Sequence, residues 1–355
     1  MLGFEQCCDA DIYKALGAAC LADWHHCWDT LRPIGAIFLN AFFGDVFPLF
    51  NHFLLLTFSI YLIGSEAGIN LKIFSVTLTS RPLRLRALGA FLLLEVMFAG
   101  LASVYLTDVT AGIFAAFAIL AFMRKNTLIL AVAGAISVLI RAAYLYPMLV
   151  IIIFYLAESI YQKRKDGALA AIFFIFIASQ YCLTYINTGV FSFIDSTATA
   201  YWQNFHLSSS SAGYDTILYP SRGFHRVADG SIGLADAYMN NQWMAIGKLM
   251  TVRMNFYFSS FVPYNKVYLL APSERIYSIL IGISNLIALI FSILYLKLRA
   301  WRIGFPVSLV LAQSLIIIPE QRFIFVIQLF LVMFTYLYLI GNKWPLLNSK
   351  SMNSE

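Results

Sequence analysis

Charge is what this chain has least of. Asp, Glu, Lys and Arg make up only 12% of it, against 61% hydrophobic residues, and its mean hydropathy is +0.77. That balance excludes an ordinary soluble globular domain. The net charge of +6 is not a nucleic-acid footprint, because most Lys and Arg sit in small groups between apolar runs, where anionic lipid headgroups attract them. Cysteine is also scarce. Four of the five cysteines (Cys7, Cys8, Cys20 and Cys27) fall in the first 27 residues, with a spacing that matches no zinc pattern. A disulfide in an oxidising compartment and free thiols near a membrane surface both fit them. The chain has no Rossmann fingerprint and no P-loop, so nothing in it reads as a nucleotide-binding domain. No internal repeat is evident. The N-terminus has no apolar core of the signal-peptide type, so the first span is expected to act as the insertion signal.

What is abundant is long apolar sequence. A bilayer core needs about 20 apolar residues per helix. Runs at 47–64, 87–107, 109–123, 127–140, 144–160, 167–186, 276–296, 303–319 and 323–341 qualify; the two from 109 to 140 are short and span only when tilted or covered by protein. Their junctions alternate in character. One set is basic: Arg81, Arg84 and Arg86; Arg124 and Lys125; Lys163, Arg164 and Lys165; Lys297, Arg299 and Arg302; Lys343. The other set carries Asp9 and Asp11, Asp108, Arg141, and Glu320 with Arg322. Lys and Arg collect on the cytoplasmic side, which puts the second set outside. The expected fold is therefore an all-α polytopic membrane protein of about nine spans, N-terminus out and C-terminus in. It divides into an outer acidic loop and interfacial helix (1–46), an N-terminal bundle (47–186), an outer loop (187–275), C-terminal helices (276–341) and a cytoplasmic tail (342–355).

Three stretches do not span. Residues 1–33 are acidic and aromatic, and residues 33–44 form an apolar run too short to cross, opened by Pro33 and closed by Gly44 as an interfacial or re-entrant helix would be. The loop 187–275, with its Ser208–Ser211 tract and an amphipathic stretch from 234 to 262, has the length of a lid or binding loop.

Each polar residue taken alone has an ordinary explanation beside a functional one. Asp9 and Asp11 fit a solvated face or a catalytic pair. Asp108 fits a helix N-cap, a metal ligand or a partner for an arginine. Arg141 fits snorkelling to headgroups or a site at the interface. Glu320 and Arg322 fit a simple loop with local pairing. Glu95, inside a span, requires a partner or a proton, and the adjacent His25 and His26 are weak as a metal pair.

The order of these residues carries more than any one of them. Asp9-Ala-Asp-Ile-Tyr13, then Leu31-Arg-Pro-Ile-Gly35, Phe43-Gly44 and Asn51, then Tyr105-Leu-Thr-Asp108, Arg141-Ala-Ala-Tyr-Leu-Tyr-Pro147, Phe261-Val-Pro263 and Pro319-Glu-Gln-Arg-Phe323 follow one another along nearly the whole chain. This order resembles the GT-C class of polytopic glycosyltransferases, which includes the protein O-mannosyltransferases and the lipid A aminoarabinose transferases. Family members carry a transmembrane helix before the acidic loop, so the resemblance implies a chain lacking that first helix. Ala10 also stands where the family has its second acid, and the late motif lacks its Pro.

The resemblance implies sugar transfer from a polyprenyl-phosphate donor to a glycan, lipid or protein acceptor at the extracytoplasmic face of a bacterial-type plasma membrane. Membrane lipids are the other partners, and nucleic acid is not one. Asp9 is the expected general base, with Asp11 second. Arg141 and Arg322 are expected on the leaving phosphate, whose geometry a guanidinium matches with two parallel hydrogen bonds. Tyr13 and Glu320 support them, and Asp108 holds a divalent metal or orients an arginine. Two other readings compete. A Wzy-like polysaccharide polymerase would use Arg222, His225 and Arg226 of the outer loop but leaves the acidic first loop unexplained. A transporter or flippase would place charges at mid-membrane in related halves, and only Glu95 does so.

Overall fold

The computed structural model describes residues 9–28, 32–66, 73–102, 107–194, 206–207, 232–233, 241, 243–244, 247, 304–310, 312 and 325–339. Among these residues the fold is helical, apart from one pair of two-residue strands, His206–Leu207 and Ile232–Gly233, joined antiparallel. Three helical runs are long and apolar enough to cross a bilayer: Ile34–Glu66, Ala142–Tyr161 and Gly167–Thr188. Shorter apolar helices at Thr107–Met123, Thr127–Ile140 and Phe325–Leu337 accompany them. This is the make-up of a membrane protein.

In chain order the helices are α1 (Asp9–Ala22), α2 (Ile34–Phe43), α3 (Phe47–Glu66), α4 (Ile73–Thr79), α5 (Arg81–Ala102), α6 (Thr107–Met123), α7 (Thr127–Ile140), α8 (Leu145–Tyr161), α9 (Ala171–Thr188) and α10 (Phe325–Leu339). At 1.5 Å per residue the 20 residues of α3 are about 30 Å long, the thickness of a hydrocarbon core.

Helix α5 runs opposite to both α3 and α10, as their end contacts show. Asn51 at the start of α3 donates to the Ala102 carbonyl at the end of α5 (3.1 Å). Phe325 at the start of α10 meets Phe98 near the end of α5, with ring centroids 5.0 Å apart, while Tyr336 near the end of α10 donates to the Arg86 carbonyl at 2.8 Å. The bundle thus has one end at Asp108 and Arg141 and another at Arg124 and Arg164.

Small residues hold the centre together. Ala111, Ala115 and Ala118 of α6 and Ala131 and Ala135 of α7 are buried in the main apolar cluster. Lipid tails are as apolar as leucine, so helices in a bilayer associate through close packing, which small side chains permit.

The first segment differs from its sequence reading. Residues 9–22 form α1 rather than a loop, and α1 packs against α2 as a cap on the Asp108 end. Two glycines make that docking possible. A Cβ on Gly17 would stand 2.8 Å from the Asn40 carbonyl carbon, and one on Gly35 would stand 2.8 Å from the Leu139 oxygen at the end of α7. A disulfide joins Cys20 to Cys27, closing the turn Trp24–Trp28 onto α1. The cap is also tied to α9: Gln180 Oε1 accepts from the Ile34 N–H at 3.0 Å, and Asn187 donates to the Trp28 carbonyl at 2.6 Å.

Two boundaries shift. Helix α5 begins at Arg81, six residues before the apolar run, because Pro82 suits a first helical turn and long arginine side chains reach the interface from inside a helix. Thr107 belongs to α6 rather than to the span before it. Of the expected run 303–319, residues 304–310 are helical and lie beside α8, where Phe305 and Phe154 rings are 5.2 Å apart. The run 276–296, most of the loop 187–275, and the tail from 342 onward lie outside the described residues.

Candidate functional site

Asp108 is the second residue of α6, where a carboxylate is favoured by the positive end of the helix dipole. Arg141 caps the C-terminus of α7 in an extended conformation (φ −139°, ψ 112°), which lifts its side chain off the helix. Because α6 and α7 form a hairpin, the two residues meet at one end. Arg141 Nη2 lies 2.7 Å from Asp108 Oδ1, with Asp108 2% and Arg141 12% exposed. Such a pair is short, charge-assisted and largely out of water.

Tyr13 of α1 completes the contact from the cap. Its buried hydroxyl accepts from Arg141 Nη1 at 3.4 Å. The guanidinium of Arg32, which leads into α2, lies 5.7 Å from the centroid of the same ring. One tyrosine is thus touched by two arginines, at its hydroxyl and at its face. The sequence reading grouped Tyr13, Asp108 and Arg141, and these three come together. Arg32 was quoted there only as part of a motif.

Tyr144, likewise quoted only within a motif, is a further member. It is buried, its hydroxyl is within electrostatic reach of both Asp108 and Arg141, and it stands 3.3 Å from where a Cβ on Gly112 would be. The same missing Cβ admits the Phe325 ring at 2.6 Å, so the start of α10 lies one turn of α6 from Asp108. Below this layer Asn51 joins three helices, accepting from Thr110 of α6 while donating to Ala102 of α5.

Glu95 has its partner in His52, whose Nδ1 is 2.8 and 2.9 Å from the two carboxylate oxygens. The residues lie on α3 and α5, 43 positions apart, so the pairing needed the fold. It answers the problem of a carboxylate inside a span.

Asp9 and Asp11 are in the first turn of α1, with their side chains outside the described residues. Glu320 and Arg322 lie outside them altogether, as do Arg222, His225 and Arg226. Among the described residues no group of three or more His, Cys, Asp or Glu is gathered as for a metal. At Asp108 one carboxylate oxygen faces the Arg141 guanidinium.

The arrangement combines a fixed guanidinium, a carboxylate that holds it and a phenol, at one end of an apolar bundle. It can receive an anionic group that approaches along the membrane surface. No family model, curated protein or solved structure matches the chain.

Proposed function

We propose that this chain is a membrane glycosyltransferase that moves a sugar from a polyprenyl-phosphate donor to a glycan, lipid or protein acceptor on the extracytoplasmic face. The observation that carries the reading is the Asp108–Arg141–Tyr13 contact, in which residues from three separate motifs of the chain meet at one end of the bundle. Its support is the order of those motifs together with this convergence.

The chemistry assigns each residue a task. The acceptor's hydroxyl oxygen bonds to the anomeric carbon as the bond from that carbon to the phosphate oxygen breaks. The phosphate leaves with the electron pair, and the hydroxyl proton passes to a carboxylate. Asp9 is that base: it stands one helical turn before Tyr13, and positions four apart stack along a helix while positions two apart do not, which ranks Asp11 second. Arg141 stabilises the charge growing on the phosphate. A guanidinium has five donors, so it can hold Asp108 and a phosphate oxygen together; Asp108 then serves to orient Arg141. Phe325, three residues after Arg322, packs one turn from Asp108, which favours Arg322 as the second phosphate ligand, with Glu320 beside it. A single base without a covalent intermediate gives inversion.

The same reading has nine spans, with the Asp108 end outside. Two independent features support that side. The opposite end carries the basic junctions, and the Cys20–Cys27 disulfide belongs to the cap on the Asp108 end, as expected for an oxidising compartment.

The test is transfer of a radiolabelled sugar from polyprenyl phosphate in membranes containing the protein. Asp9→Asn is expected to abolish transfer while donor binding and membrane level stay normal; Arg141→Lys, which keeps the charge and loses the fork, is expected to lose nearly as much as Arg141→Ala. Full activity of Asp9→Asn would remove the base from the mechanism, and the polymerase reading would then take its place. Sidedness is read separately: an impermeant thiol reagent should label a cysteine at Trp24 (56% exposed) and not one at Tyr161 (88% exposed).

A further inference from the structure

The other end of the bundle holds a cation with an unused hydrogen-bonding edge. Arg124 directly follows α6, and its backbone N–H closes onto the Leu120 carbonyl at 3.0 Å. Its side chain is half-buried, and both Nε and Nη2 are shut off from water with no acceptor among the described residues. Those two nitrogens form one edge of the guanidinium, the edge whose parallel N–H bonds fit two oxygens of a phosphate or carboxylate. Leaving donors of a charged group buried and unmet is costly, and native structures rarely do so without a reason.

The surroundings define what would fit. Tyr61 and Glu66 of α3 are both buried and within electrostatic reach of Arg124. Desolvation lowers the Arg124 pKa, opposed by Tyr61 and then Glu66, but an arginine keeps its proton through such a shift. A second guanidinium is fixed on the same loop: Arg164 Nη2 donates to the carbonyl of Lys125 at 2.9 Å. Lys125 itself adds a third positive charge. The Glu66 carboxylate works against a doubly charged anion, so a phosphodiester with one negative charge suits the site better than a phosphate monoester.

We propose that the Nε–Nη2 edge of Arg124 is a binding site for the phosphodiester of an anionic lipid headgroup at the basic end of the bundle, with Lys125 and Arg164 supplying the surrounding positive potential. The site is separate from the Asp108 end and does not depend on the transferase reading. Basic junctions are ordinarily a diffuse attraction for anionic lipid; here one residue makes the attraction specific.

The experiment uses the full chain, purified in detergent and stripped of lipid, then transferred to nanodiscs of phosphatidylcholine with or without phosphatidylglycerol. Native mass spectrometry counts retained lipid, and thermal unfolding reads its effect. Wild type should keep one phosphatidylglycerol and unfold at a higher temperature with it than without. Arg124→Gln should weaken retention by about tenfold, as loss of a two-pronged charge-assisted contact implies. Arg124→Lys should recover little of it, and Glu66→Gln should tighten it several-fold. Equal retention by wild type and Arg124→Lys, or no effect of Glu66→Gln, would overturn the proposal; these two arms decide it even where Arg124→Gln does not fold. Inorganic phosphate is added in phosphatidylcholine discs as a control. Stabilisation by it equal to that by phosphatidylglycerol would assign the edge to a free anion and overturn the lipid source.

Discussion

The two ends of the bundle close the same kind of helix in opposite ways. At the Asp108 end, charges of both signs neutralise one another under a cap: Asp108 on Arg141, Arg141 on Tyr13, and α1 and α2 drawn over them by Gly17, Gly35 and a disulfide. At the Arg124 end, cations predominate and use neutral partners. Arg164 donates to the Lys125 carbonyl and the Tyr155 hydroxyl, and its guanidinium lies 5.1 Å from the Tyr155 ring centroid. Turn residues follow the same division. Within the bundle the left-handed positions are glycines at the first end, Gly44 (φ 44°) and Gly189 (φ 72°), and lysines at the second, Lys125 (φ 55°) and Lys163 (φ 53°); Asn241 (φ 55°), between α9 and α10 in the chain, belongs to neither set. A non-glycine residue in that region costs about 1 kcal/mol, and a basic residue beside an anionic leaflet gains about as much. Within the bundle the basic end carries its left-handed turns on charged residues, and the Asp108 end carries them on glycines.

If the Asp108 end depends on mutual neutralisation, breaking it should have the largest effect in the molecule. Arg141→Ala takes its guanidinium from a carboxylate that is 2% exposed, which should cost about 3–5 kcal/mol in detergent unfolding. Replacing both charges together, Asp108→Asn with Arg141→Gln, should recover more than half of that loss. A double variant no better than the single one would mean that the pair is not what Arg141 contributes. Next in size is the cap. Replacing Cys20 and Cys27 by serine removes a short loop closure and should cost about 2 kcal/mol, with greater hydrogen exchange in residues 13–28 and little change in α8. Uniform loss of protection across both ends would show that the cap is integral to the bundle rather than docked on it.

The basic end should respond more weakly. Arg164→Ala removes two hydrogen bonds and a ring contact, with an expected loss of about 1–2 kcal/mol, seen as earlier thermal unfolding. A loss as large as that of Arg141→Ala would erase the distinction between the ends.

How much of this was legible in the sequence differs between the ends for physical reasons. The meeting of Asp108 and Arg141 was readable, because it requires only that two successive apolar runs cross in opposite directions. Helix α1 was not, although Asp9–Ala22 is rich in alanine, a strong helix former. Its polar surroundings masked a buried face of Tyr13 and Cys20, and the contact that buries it runs through Gly17, which carries no side chain to signal it. The partner of Glu95 was hidden by distance along the chain, since nothing local marks His52. At the basic end the junctions were visible but read only as bulk positive charge. That Arg164 ties two loops together, and that Arg124 keeps one edge without an acceptor among the described residues, are properties of side-chain placement that charge counting cannot supply.

The smallest expected effect is also the most direct test of the contrast between glycine and lysine turns. Lys125→Gly removes left-handed strain at φ 55° but adds chain entropy to the unfolded state, so the net gain in detergent should be modest, about 0.5–1 kcal/mol. The Arg164 clamp survives, because it uses the Lys125 carbonyl rather than its side chain. Gly189→Ala, at φ 72° on the opposite end, should move stability the other way by about 1 kcal/mol, although nothing stands within 4 Å of the added Cβ. In anionic nanodiscs the gain from Lys125→Gly should shrink or reverse, because the lost charge then matters, whereas Gly189→Ala should be indifferent to lipid charge. The measurement is the unfolding midpoint of both variants in neutral and anionic discs. A Lys125→Gly protein that is equally stabilised in both would show that the lysine's charge does not offset its strain, and the difference between the two ends would then reduce to packing.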